Sequence, residues 1–218
     1  MKKYYAELIG TFAMIFCGCG AIAINEITNG SIGHTGVAAT WGLIVMAMIY
    51  AFGDVSGAHF NPAVTFGFAI AKKFPLKEVP KYIVAQSIGA FLACFILWFL
   101  FPESETLGSS LPAQGFEAYK AFILEMILTF FLMVVIINVS TGSKEIGTMA
   151  AIAVGGVILL EAMFAGPMTK ASMNPIRSLA PALVSGNLQD LWLYLTAPFI
   201  GSFLAVFSCK LVKDEQCC

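Results

Sequence analysis

The chain has 218 residues, 59% of them hydrophobic and 11% charged, with a mean hydropathy of +0.85 and a net charge of −1. Soluble domains run at about 45–50% apolar and about 25% charged, which excludes an ordinary soluble enzyme and a disordered chain. A nucleic-acid binder would need a basic surplus, and 12 Lys and Arg against 13 Asp and Glu leave none. The composition is that of an integral membrane protein.

The start, Met1-Lys2-Lys3 before apolar residues, has the outline of a signal peptide. Glu7 interrupts the would-be apolar core and the run continues to Ile24, so a retained first span is expected. A bilayer core of about 30 Å takes about 20 apolar residues per helix. Runs of that kind lie at about 4–24, 37–53, 82–101, 119–139, 146–166 and 188–212. Cys17, Cys19, Cys94 and Cys209 fall inside these runs, where cysteine behaves as a small buried hydrophobe. Cys217 and Cys218 read as a solvated thiol tail beside Lys213, Asp214 and Glu215. Nine basic residues fall on the side of the termini and the even-numbered connectors, against Lys120, Lys170 and Arg177 on the other. By the positive-inside rule both termini face the cytoplasm, as six spans require.

Two connector segments, 61–70 (NPAVTFGFAI) and 174–184 (NPIRSLAPALV), are apolar and helical in pattern but far too short to span. They belong to a repeat. Ala6–Phe12 recurs as Leu124–Phe130, with Glu7 matched by Glu125, and Asn61-Pro62-Ala63 recurs as Asn174-Pro175-Ile176. From Glu to Asn the separation is 54 residues in the first copy and 49 in the second. Three spans per copy is an odd number, so the copies insert with opposite topology. Each then sends its short helix toward the midplane from a different face. The expected fold class is an all-α membrane protein: six transmembrane helices plus two re-entrant half-helices in inverted three-helix repeats.

Pro62 and Pro175 suit the first helical turn, where a missing amide hydrogen costs nothing, which puts Asn61 and Asn174 at N-caps. Two opposed positive helix ends and two amide donors make a midplane site that accepts an oxygen and repels a cation. The backbone descending to each Asn, including Gly57, Ala58 and His59 in one copy and Thr169 and Lys170 in the other, is non-helical. Its carbonyls must therefore line a water-filled cavity. Carbonyl acceptors leading to two donors suit small, neutral, hydroxyl-bearing molecules.

These residues carry a resemblance. Along nearly its whole length the chain resembles the major intrinsic proteins, the aquaporin and aquaglyceroporin family, through Ala6–Phe12, 56–65 (SGAHFNPAVT) and Glu125–Phe131. The stretch 164–182 (FAGPMTKASMNPIRSLAPA) resembles the nodulin-26-like branch. The resemblance implies a single channel domain over 1–218, with repeat one at about 1–101 and repeat two at about 119–212. It further implies one passive pore per subunit for water and small neutral solutes, a homotetramer, a plasma-membrane location, and no cofactor, metal or nucleic-acid partner. Ile176 departs from the family's usual alanine and adds branched bulk where the half-helices abut.

The only arginine, Arg177, stands three residues after Asn174 and shares its helix face. Its repeat mate is the apolar Val64, and a lone Arg at membrane depth defaults to a functional role. By family alignment Arg177 joins Trp41, Ala162 and Ala171 in an outer selectivity filter. Strict water channels of the family usually carry Phe and His at the first two of these positions, so Trp41 and the methyl of Ala162 resemble members that pass glycerol or metalloid hydroxides. Ser178 and Ala182 resemble the water-channel type instead, and Tyr194-Leu195 the nodulin-26-like type. The resemblance also implies that Glu7 and Glu125 are structural buttresses of the descending loops. Glu161 has no family counterpart and its role stays open. Two rival readings remain at this point: a strict water channel, and a proton-coupled carrier or intramembrane enzyme built on Glu7, Glu125 and Glu161.

Overall fold

The computed structural model describes residues 1–140 and 144–212, with backbone alone for 144–148. The thiol tail at Cys217 and Cys218, and Lys213, lie outside the described residues. Among the described residues the regular structure is helical: α1 (Lys2–Ile27), α2 (Gly33–Ser56), α3 (Pro62–Ile70), α4 (Val79–Leu100), α5 (Ala118–Ser140), α6 (Lys144–Thr169), α7 (Pro175–Ser185) and α8 (Leu191–Val212), with one 3-10 turn (Leu76–Glu78) leading into α4. All but α3 and α7 are long and apolar enough to cross a membrane. The outer surface agrees, since Val84, Phe99, Phe164 and Phe207 are each more than half exposed. So broad an apolar skin belongs against lipid.

α3 and α7 match the two short helices read from the sequence, and the six spans appear where expected. Five run a few residues beyond their apolar windows, while α8 begins at Leu191 rather than 188. The end of α6 is a correction. The expected span ended at about 166, yet the helix continues through Pro167 to Thr169. Proline has no N–H to give the carbonyl four residues back, which is that of Met163. His34 Nε2 contacts that oxygen at 2.7 Å from the neighbouring α2. A tertiary partner thus satisfies the group that Pro167 strands. Cys17, Cys19 and Cys94 are free thiols, and Cys19, Cys94 and Cys209 are buried in the core.

Packing follows the repeat. α1 packs on α2 and α4 as α5 packs on α6 and α8; α3 lies against α8 as α7 lies against α4; α2 and α6 close the bundle between the halves. Two glycines make the tight crossings possible. A Cβ at Gly89 would stand 2.3 Å from Leu8 O, and one at Gly201 would stand 2.2 Å from Met126 O. With lipid as solvent, helices associate by such close backbone approach rather than by expelling water. These crossings hold α4 and α8 against α1 and α5, and so frame the space into which α3 and α7 descend.

Candidate functional site

The site is built where the two half-helices meet. Asn61 and Asn174 both have extended backbone and cap their helices: Asn61 Oδ1 accepts from Ala63 N at 2.8 Å, and Asn174 Oδ1 accepts from Ile176 N at 3.1 Å and Arg177 N at 3.4 Å. With each oxygen used as a cap, each amide nitrogen is left to donate. Asn61 Nδ2 donates to Met173 O at 2.8 Å, and Asn174 Nδ2 donates to Phe60 O at 3.0 Å. The caps are therefore cross-tied, each holding the other copy's loop. Each amide has one further N–H, and both residues line the same cavity. Pro62, Ala63, Pro175 and Ile176 are buried behind them and do not line it. The bulk of Ile176 is absorbed into the core, and both cross-ties stand.

Two carboxylates hold the descending loops. Glu7 Oε1 accepts from Ser56 Oγ and His59 N, and its Oε2 accepts from Phe60 N and Gln86 Nε2, all at 2.8–2.9 Å. Glu125 accepts from Ser172 N and Met173 N, each at 2.9 Å. Both glutamates are 0% exposed. The loops they hold are strained: Ala58, Phe60, Ala171 and Met173 all have left-handed φ, between 44° and 53°. Such conformations cost of order 1 kcal/mol or more each and persist only where the surroundings over-determine them. The buried carboxylates supply that constraint by drawing two consecutive N–H groups to one side.

The cavity these loops border has a volume of about 110 Å³. Its walls are mostly apolar, and among the described residues Arg177 is the one Lys, Arg, Asp or Glu lining it. It shares Trp41 and Ala162 with an outer mouth that reaches His34 and Lys170. It also shares Ile49, Gly57, His59, Phe68 and Val139 with an inner mouth that reaches Asp54 and Lys73. The three spaces form one file through the bundle. Gly57, Ala58 and His59 line it. The second copy is arranged differently. Thr169 is buried at the end of α6 with its carbonyl taken by the Tyr194 hydroxyl at 2.9 Å, and Lys170 stands at the outer mouth. Because α6 runs past Pro167, the residues that line the cavity are Ala171, Ser172 and Met173.

Trp41, Ala162, Ala171 and Arg177 come together on the cavity wall. The guanidinium carbon of Arg177 lies 4.8 Å from the Trp41 ring centroid. Its Nη1 donates to Gly108 O at 2.9 Å and Ser110 Oγ at 2.6 Å, while Nη2 has no partner among the described residues although the side chain is only 2% exposed. A pinned cation thus keeps a donor in reserve. Glu161, also 2% exposed, has neither carboxylate oxygen bonded and does not line the cavity. His59 packs its ring against Phe68, Phe74 and Tyr82 at 4.8–5.1 Å.

Sequence reasoning passed over two groups. One is the connector 101–117, where Ser104, Leu107, Ser109 and Ser110 are buried and Gly108 O and Ser110 Oγ hold Arg177. The other is the pair Tyr82 and Tyr194, whose hydroxyls hold the last carbonyl of α2 (Ser56) and of α6 (Thr169) at 2.8 and 2.9 Å. Tyr82 and Tyr194 stand 112 residues apart and Ser56 and Thr169 stand 113 apart, so the repeat itself carried that signal.

Opposed capped half-helices and six apolar helices in inverted repeats define a class of membrane protein with a file through each bundle. The model of the family described as major intrinsic protein matches residues 1–208, and the chain belongs to that family. It is 45% identical over 214 residues to Aquaporin NIP1-1 of Oryza sativa subsp. japonica, covering 98% of this chain and 75% of that protein. It is 42% identical over 213 residues to Nodulin-26 of Glycine max, covering 98% and 78%. The X-ray structure of the aquaglyceroporin from Plasmodium falciparum superposes with a TM-score of 0.88 at 28% identity, covering 97% of this chain and 96% of that one.

Proposed function

We propose that the protein is a passive channel for water and small neutral solutes of the glycerol class, metalloid hydroxides among them, and that it excludes ions and protons. The observation that carries this reading is the cross-tied pair Asn61 and Asn174 on a mostly apolar central cavity whose one charged wall residue, among the described residues, is Arg177. Two positive half-helix ends facing a shared midplane disfavour a cation, and the Asn donors bind a passing water through its oxygen. A water held that way has both hydrogens pointing along the file away from the centre, which breaks a proton relay. Trp41, Ala162, Ala171 and Arg177 act as the outer filter in this account. Trp41 offers an apolar face to a carbon backbone while Arg177 donates to hydroxyls.

The carrier reading is disfavoured because Glu7 and Glu125 spend their oxygens on loop donors and Glu161 stands off the file. We further propose a single channel domain over 1–218 with repeats at about 1–101 and 119–212. The proposal includes a homotetramer in the plasma membrane with both termini cytoplasmic. Stopped-flow light scattering of proteoliposomes tests the function. Rapid, non-saturating water and glycerol flux without dissipation of a pH gradient is expected. A proton leak scaling with protein content, or saturating uptake abolished by a protonophore, would overturn the proposal.

A further inference from the structure

Glu26, at the C-terminal end of α1, lines none of the three spaces of the file, yet its carboxylate accepts three hydrogen bonds. Its Oε2 accepts from Ser104 Oγ at 2.7 Å and Thr106 Oγ1 at 3.0 Å, and its Oε1 accepts from Glu105 N at 3.2 Å. Both hydroxyls work twice. While donating to Glu26, Ser104 Oγ accepts from Leu107 N at 3.1 Å and Thr106 Oγ1 accepts from Gly108 N at 3.3 Å. The turn so built is left-handed at Leu107 (φ 46°) and Gly108 (φ 74°), a shape that local preference alone does not hold for leucine. Asn187 clamps the same strap from the other side, its Nδ2 donating to Glu105 O at 2.9 Å.

What the turn presents is the Gly108 carbonyl and, two residues on, the Ser110 hydroxyl. These are the two groups that hold Arg177 Nη1. Beyond them Ser178 Oγ donates to Ser110 Oγ at 2.7 Å, so the strap is also joined to α7. A continuous hydrogen-bonded path therefore runs from Glu26 through the 104–110 turn to the guanidinium.

We infer that Glu26 is a positioning residue for Arg177: its carboxylate sets the turn that fixes Nη1 and so leaves Nη2 aimed at the passing solute. The inference rests on the proposal that Arg177 belongs to the filter. A guanidinium free to swing would still supply charge, but it would no longer meet a polyol hydroxyl at a fixed point, and misplacement of a positioned group by about 1 Å can cost up to about a hundredfold. Water, which needs less room and fewer contacts, feels the change less.

The test measures water and glycerol permeability in proteoliposomes for Glu26→Ala, Thr106→Val, Arg177→Val and the double variant Glu26→Ala/Arg177→Val. Retention volume and thermal midpoint serve as folding controls. Thr106→Val is near-isosteric and removes the hydroxyl that links Glu26 to Gly108, so it carries the test if Glu26→Ala does not fold. Both single changes are expected to shift the glycerol-to-water ratio by about threefold or more, and Glu26→Ala is expected to add nothing once Arg177 is Val, because one path has been cut twice. An unchanged ratio in Thr106→Val, or an effect of Glu26→Ala that survives in the Arg177→Val background, overturns the inference while leaving the filter intact. An unchanged ratio in Arg177→Val overturns the filter reading itself.

Discussion

Trp41 owes its position to a missing methyl. Gly18 of α1 lies beneath the indole, and a Cβ built there would stand 2.4 Å from Cε2 and 2.5 Å from Cδ2 and Cζ2 of Trp41. Carbon atoms in contact sit about 3.5–4.0 Å apart, so Gly18→Ala must drive the ring away from α1 by more than about 1 Å. The cavity lies on that far side, with the Arg177 guanidinium 4.8 Å from the ring centroid. Overpacking of this kind costs about 1–3 kcal/mol, and replacing a mid-helix glycine returns about 1 kcal/mol through helix propensity. The variant should therefore fold. In proteoliposomes, glycerol flux should fall about tenfold or more while water flux falls by less than about threefold, on the scale expected when a positioned group moves about 1 Å. Trp41→Phe in the same chain removes the benzo ring that is struck and should restore the glycerol flux. Unchanged glycerol flux in well-folded Gly18→Ala would show that Trp41 does not stand at the constriction, and the filter reasoning would fall with it.

Ala162→His puts an imidazole where a methyl now faces Trp41, so glycerol flux should drop strongly and water flux little; equal loss of both would place the constriction elsewhere. Glu125→Gln sets an amide donor against Ser172 N or Met173 N. Leaving one buried loop amide unpaired should lower stability by about 1–3 kcal/mol, read as a drop in thermal midpoint with water flux reduced in parallel. A melting curve like that of the parent chain would remove Glu125 from its buttress role. Tyr194→Phe strips the hydroxyl from Thr169 O and should cost about 1 kcal/mol with the glycerol-to-water ratio held. A shifted ratio would mean that the end of α6 tunes the file and not only its support.

The midplane was legible because its signals are local. An N-cap Asn, a proline in the first turn and a glutamate inside an apolar run each state their role within a few residues, and doubling them removed the ambiguity. What was not legible depends on partners far along the chain. Residues 101–117 are rich in Ser, Gly, Pro and acid, indistinguishable by composition from a solvated connector. Ser104 and residues 107–110 within that segment are buried, where Glu26, Arg177 and Asn187 reach the turn from distant parts of the chain. The end of α6 was missed for the same kind of reason, since the carbonyl that Pro167 strands is met by His34, 129 residues from Met163 in sequence.

Symmetry supplies the scaffold and its violations supply the discrimination. The residues 113 positions from Trp41, Ala162, Ala171 and Arg177 are Val154, Ile49, Ala58 and Val64. All four line the same cavity, and Ile49 borders the inner mouth as Ala162 borders the outer one. The file thus carries an inner ring that is the repeat image of the outer one, but wholly apolar. It can limit size, yet it has no side-chain donor or charge with which to sort solutes of equal width. The image of Arg177 is the apolar Val64, and the strap that holds Arg177 has no image, because residues 101–117 join the two repeats and occur once. On the proposed filter reading, polar discrimination between these two rings therefore rests with the outer one. An inner-ring change such as Ile49→Ala should widen passage for water and glycerol together and leave their ratio nearly where it was, whereas any change along Glu26, the 104–110 turn, Arg177 and Trp41 should move the ratio itself.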